Sequence, residues 1–125
     1  MSCTNEQEGA FERAPEERFE MTTLLKQGHT GDYEKLHAAI PSGLDAAMRA
    51  AGATGWTIHR NGLVLHHQVT AISSERMRST LNSSEDNMLW QQQVNPHLDH
   101  SAAAPAASSV GGDWSLVWDF SWPVR

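Results

Sequence analysis

The chain of 125 residues has one cysteine and one tyrosine. A lone Cys3 closes no internal disulfide and builds no cysteine cluster for a metal, which fits a reducing compartment. Basic residues are also scarce: nine Lys and Arg stand against fifteen Asp and Glu, a formal net charge of −6. Binding to a phosphate backbone depends on clustered cations, so nucleic acid is not an expected partner. No apolar run approaches the roughly 18 residues of a membrane span. The polar start, Met1 to Glu8, lacks the basic and apolar regions of a secretory signal. A cytoplasmic protein is the expectation. Gly111-Gly112 lacks the spacing of a nucleotide loop, and no Gly-x-Ser-x-Gly elbow occurs, which removes the commonest kinase and hydrolase readings.

What is present is ordinary globular composition, 39% hydrophobic and 19% charged, with an unusual aromatic set of five Trp and three Phe. The length suits one domain. Residues 1–15 are acidic and nearly without apolar side chains, so a disordered tail is expected there and a single domain over 16–125. From Arg18 to Lys26, Phe19, Met21, Thr23 and Leu25 share one parity, a strand signal. Gln27 to Gly31 reads as a loop, with a helix starting at Thr30 or Asp32.

Between Asp32 and Ala51 an amphipathic stripe runs through Tyr33, Leu36, His37, Ile40, Leu44 and Met48. Pro41 lies inside it and predicts a kink or break between His37 and Pro41. Two short strand-like runs follow, Gly55–Arg60 and Leu63–Val69, separated by the hairpin signal Asn61-Gly62. A second helical region opens at Ser73-Ser74-Glu75 and continues in two pieces to Val94, with Pro96 ending it. Residues 101–113 are rich in Ala, Ser, Pro and Gly and read as a flexible loop. The alternating run Trp114–Trp122 reads as a last strand.

This order predicts an α+β, ferredoxin-like two-layer sandwich (βαββαβ) with its helices on one sheet face. The other face is expected to be apolar and uncovered, and its pairing with a second copy predicts a homodimer.

The strongest chemical candidates are Tyr33 and His37, one helical turn apart on the apolar face. An imidazole that titrates near neutrality can take and give a proton. A buried core histidine beside a packing tyrosine satisfies the same spacing. His66 and His67 point to opposite sides of a strand, and His67 shares the parity of Leu63, Leu65 and Val69, which favours it as the inward one. His97 and His100 add possible ligands, but no metal-binding spacing is present, so no metal is expected. The tryptophans Trp56, Trp90, Trp114, Trp118 and Trp122 either fill a core or offer ring faces for stacking on a sugar.

Several of these segments together resemble the L-rhamnose mutarotase family. They are Tyr33-Glu34-Lys35-Leu36-His37, Leu44 to Ala53 leading into Trp56-Thr57-Ile58, Asn87-Met88-Leu89-Trp90-Gln91 and Val117-Trp118-Asp119-Phe120. The likeness covers about residues 18–122. It implies a dimeric α/β barrel that interconverts the α and β anomers of a 6-deoxyhexose such as L-rhamnose or L-fucose, with no cofactor. It places the family's acid/base on His37, a sugar contact on Tyr33 and aromatic sugar contacts on Trp56 and Trp90. Some members that resemble fucose-acting forms also carry a histidine where His67 stands. Rhamnose-type members tend to have Asn-Pro-Ile-Trp-Pro after the histidine, where this chain has Ala38-Ala39-Ile40-Pro41-Ser42. They also often have Trp-Trp where it has Trp90-Gln91.

The expectation is therefore an isomerase, a monosaccharide mutarotase, with His37 and Tyr33 as catalytic residues. Trp56, Trp90 and His67 are its expected substrate-binding residues. Trp114, Trp118 and Trp122 are assigned to core or dimer packing. Because a fold does not fix chemistry, a cofactor-free oxygenase or haem-degrading enzyme of the same dimeric fold is the first alternative. A non-catalytic module that binds sugar or a partner through the tryptophan-rich last strand is the second.

Overall fold

The computed structural model describes residues 16–121. The expected tail with Cys3, and Trp122, fall outside the described residues. Strand β1 (Glu17–Leu24) leads to helices α1 (Thr30–Ala38) and α2 (Ser42–Ala50), and then to strands β2 (Ala53–Asn61) and β3 (Val64–Ala71). Helices α3 (Ser74–Asn82) and α4 (Glu85–Val94) follow, and β4 (Ser115–Ser121) closes the chain. Single 3₁₀ turns at Asn95–His97 and Ala107–Ser109 lie between α4 and β4.

The long amphipathic stripe is broken at Pro41, as the missing backbone donor requires. Ala39 ends α1 and Pro41, in an extended conformation, precedes α2. Gly52, with φ +89°, then turns the chain out of α2, a conformation in which a side chain would clash. The second helical region is also in two pieces, each opened by a serine cap. Ser73 Oγ accepts from the Arg76 amide and Ser84 Oγ accepts from the Asn87 amide, each at 3.2 Å, so each satisfies one free donor of a helix start.

The four strands form an antiparallel open sheet in the order β1-β3-β2-β4. In the β2–β3 hairpin Asn61 pairs with Val64. The two central turn residues are thus Gly62 and Leu63 rather than Asn61 and Gly62. Gly62 supplies the positive φ, +63°, that a tight hairpin needs at its first central position. The helices share one core with one face of this sheet, contributing Tyr33, Leu44, Met48, Met77, Leu81, Trp90 and Val94 against Ile58, Leu65, Val69 and Phe120. The architecture is an α+β, ferredoxin-like two-layer sandwich. Among the described residues no helix is long and apolar enough to cross a membrane.

The outer sheet face corrects one expectation. Strand alternation places Arg18, Glu20, Thr22, Thr57, His59, His66, Gln68 and Thr70 there, so the face is polar rather than apolar. It is not fully bare either. The chain leaves α4, forms a bridge from Leu98 to Leu25 beside β1, and crosses this face to reach β2. On the way Thr22 Oγ1 donates to the Pro105 carbonyl at 2.8 Å and Asn61 Nδ2 donates to the Gly111 carbonyl at 2.9 Å. The Trp114 ring then rests against His66, with centroids 5.7 Å apart. The argument for dimerisation from an uncovered apolar face therefore does not hold.

The core predicts a contrast between two leucines. Leu65 is fully buried, whereas Leu116 on the outer face is 59% exposed. Leu65→Ala should lower unfolding free energy by about 2–5 kcal/mol and Leu116→Ala by less than about 0.5 kcal/mol. Urea denaturation of the two variants measures both.

Candidate functional site

Between the helix layer and the sheet lies a cavity of about 130 Å³. That is of the order of the roughly 150 Å³ cavity that admits a benzene ring. Thr23, Tyr33, His37, Trp56, His67 and Trp90 all line it. The structure thus brings together the five residues singled out in the sequence, from α1, β2, β3 and α4, and adds Thr23 from β1.

Helix α1 presents Tyr33 and His37 one above the other, their ring centroids 4.2 Å apart. His37 Nδ1 lies 3.0 Å from the Tyr33 carbonyl oxygen. A carbonyl can only accept, so Nδ1 carries the proton and Nε2 keeps its lone pair. Trp90 and Trp118 meet the imidazole edge-on, at 5.1 and 5.9 Å between centroids. Burial lowers the pKa of His37 below the ordinary 6.5, against a smaller opposing effect of the Tyr33 carbonyl. The imidazole is therefore neutral near pH 7 and offers a base. Burial raises the pKa of the Tyr33 hydroxyl well above its ordinary 10, so it keeps its proton and acts as a donor. Among the described residues no protein group accepts from it.

Helix α1 is itself tied to the sheet. Arg60 Nε on β2 donates to Glu34 Oε2 at 2.9 Å. Such a half-exposed pair contributes at most about 1 kcal/mol, but it joins the turn that carries Tyr33 to the strand that carries Trp56.

His67 faces the cavity and His66 the outer face, where its Nε2 lies 2.7 Å from Glu20 Oε1. Both nitrogens of His67 are engaged. Trp56 Nε1 donates to Nδ1 at 3.3 Å, and Nε2 lies 3.1 Å from Thr23 Oγ1. Its pKa is pushed down to about 4, chiefly by burial and then by the nearby His37 and His66. Among the described residues no three His, Cys, Asp or Glu side chains converge as a metal site, and His97 instead pairs with His29, Nδ1 to Nδ1, at 3.0 Å.

Three features were missed in the sequence. Trp118 lines the cavity and touches His37, which corrects its assignment to core or dimer packing alone. Its signal was the parity it shares with the buried Phe120. Asn87 and Gln91, on α4, also line the cavity and add polar groups to it. Thr23 carried a signal as well, being a polar residue in the parity of Phe19, Met21 and Leu25.

The buried histidines set a pH dependence of stability. Their folded pKa values lie below the unfolded ones, so the unfolded chain binds more protons between about pH 4 and 6.5. Stability is then fully present above pH 6.5 and lost as pH falls through that window. Urea midpoints measured from pH 7.5 to 4 should decline, and His67→Phe should flatten the slope.

One family model, described as L-rhamnose mutarotase, matches residues 18–119. No individually curated protein matches the chain.

Proposed function

The chain belongs to the L-rhamnose mutarotase family, and from that premise we propose that it interconverts the α and β anomers of a 6-deoxyhexose with His37 as acid/base. Membership supports sugar mutarotase activity, an isomerase chemistry at the anomeric carbon. The observation that supports the assignment to His37 is its tautomer. With Nδ1–H held by the Tyr33 carbonyl, the Nε2 lone pair is left for the sugar.

In this reading Nε2 takes the proton of the anomeric hydroxyl. The bond between C1 and the ring oxygen breaks, and the imidazolium returns the proton to that oxygen. Both oxygens are bonded to C1, so one nitrogen reaches each in turn. Rotation about C1–C2 and the reverse steps give the other anomer. Tyr33 donates a hydrogen bond to the ring oxygen without losing its proton, in keeping with its raised pKa. Trp56 and Trp90 present ring faces to the C–H surface of the pyranose. No bond to the protein forms, and proton transfer of this type contributes typically about 10²–10⁴-fold.

A homodimer belongs to the same proposal, with support from the family resemblance and not from the outer face, which is polar. Light scattering should give twice the chain mass, and a monomer mass overturns that part.

The activity is tested by saturation transfer between the anomeric protons of L-rhamnose and of L-fucose. Exchange above buffer is expected for one or both sugars, reduced about 10²-fold or more by His37→Ala. Because the His37 pKa is lowered, exchange should persist on acidification past pH 6.5 before it falls. Absence of exchange with any pyranose, or full exchange in the His37→Ala variant, overturns the reading.

A further inference from the structure

The two histidines of the cavity hold opposite tautomers, and the second one is closed to the ligand. An indole N–H is a donor only. Trp56 Nε1 can therefore lie 3.3 Å from His67 Nδ1 as a hydrogen bond only if Nδ1 keeps its lone pair. The neutral ring must then carry its proton on Nε2, which donates to Thr23 Oγ1 at 3.1 Å. Neither nitrogen is left for a sugar. Thr23, by contrast, has one lone pair occupied by His67 and keeps its own O–H and a second lone pair. It lines the same cavity as His37, and among the described residues its hydroxyl has no other partner.

We propose that Thr23 is a sugar-contacting residue of this site, and that Trp56 and His67 are positioning residues that fix the direction of its hydroxyl. The inference rests on the mutarotase reading and identifies a group within that site. Accepting from His67 polarises the Thr23 O–H and strengthens it as a donor. It does not make Thr23 a proton source. Passing a proton from His67 through Thr23 would leave an imidazolate beside the indole, so the chain of hydrogen bonds orients and does not relay. The proton chemistry stays with His37, and Thr23 holds a sugar oxygen in register with it. This arrangement also accounts for a buried histidine that remains neutral: its role requires both nitrogens to be occupied and its charge to be absent.

The experiment combines kinetics with nitrogen NMR. Anomer exchange is measured for the wild type, Thr23→Val, Thr23→Ala and Thr23→Ser on whichever of L-rhamnose and L-fucose the wild type exchanges faster. Long-range ¹H–¹⁵N spectra of the wild type read the histidine tautomers. Loss of one buried hydrogen bond to the ligand should raise KM roughly tenfold in T23V and T23A. The kcat should stay within about threefold, because uniform binding is what is lost. T23S should recover most of the wild-type affinity, and His67 should show the Nε2–H form. His67→Phe should cost less than T23V, and the double variant should match T23V alone, since His67 acts through Thr23. Wild-type kinetics in both T23V and T23A, failure of T23S to recover, or an Nδ1–H form of His67 overturns the inference. If the wild type exchanges neither sugar, the mutarotase reading falls. If His37→Ala is impaired while T23V is not, the role of Thr23 alone falls.

Discussion

The cavity depends on the pairing of β2 with β3 across the turn at Gly62. That turn sets Arg60 opposite Leu65 and Ile58 opposite His67. Side chains alternate along a strand, so a slip of one residue would exchange the two faces throughout. His66 would then enter the cavity and His67 would face the outer surface. Val69 and Leu65, now buried, would be turned out of the core. The apolar members of β3 thus hold the register that puts a histidine opposite α1, and packing energy positions a polar group that could not have positioned itself.

Once buried, each histidine is neutral because the cavity is apolar, and each is told apart by its partner. A backbone carbonyl of α1 takes the Nδ1 proton of His37. An indole of β2 offers a proton to Nδ1 of His67. One ring is left with a free lone pair and the other with none. The same side chain therefore serves as a base on one wall and as a rigid link on the other. The difference lies in what each element presents, acceptor from a helix and donor from a strand. The aromatic rings around His37 add shape and exclude water without supplying a competing hydrogen bond.

Much of this was legible in the residues, and the failures have identifiable causes. The Tyr33–His37 pair, the break at Pro41, the two-part second helical region and the inward parity of His67 all follow from periods of 3.6 and 2 and from proline chemistry. Trp118 and Thr23 were within reach, since both share parity with buried neighbours. Their meaning depended on what lay across the cavity, which parity does not report. The outer face was misjudged because one apolar sheet face does not imply a second. His66, Gln68, Thr70 and Thr57 stand in the sequence as polar alternates, and the composition of residues 101–113 reads as a loop without reporting which surface that loop crosses.

By itself the sequence determined the order and type of the elements and which side chains share a face, because backbone sterics and hydrophobic periodicity act over a few residues. It also determined the acidic balance that disfavours nucleic acid. Only the tertiary structure decided that β1, α1, β2, β3, α4 and β4 deliver Thr23, His37, Trp56, His67, Trp90 and Trp118 to one cavity. It alone decided which nitrogen of each histidine is free. Apart from the Nδ1 bond of His37 to the Tyr33 carbonyl one helical turn earlier, those outcomes rest on contacts such as Trp56 with His67 and His37 with Trp118, 11 and 81 positions apart along the chain. Tautomer and burial are properties of neighbours brought together by packing, and local sequence contains no information about neighbours it has not yet met.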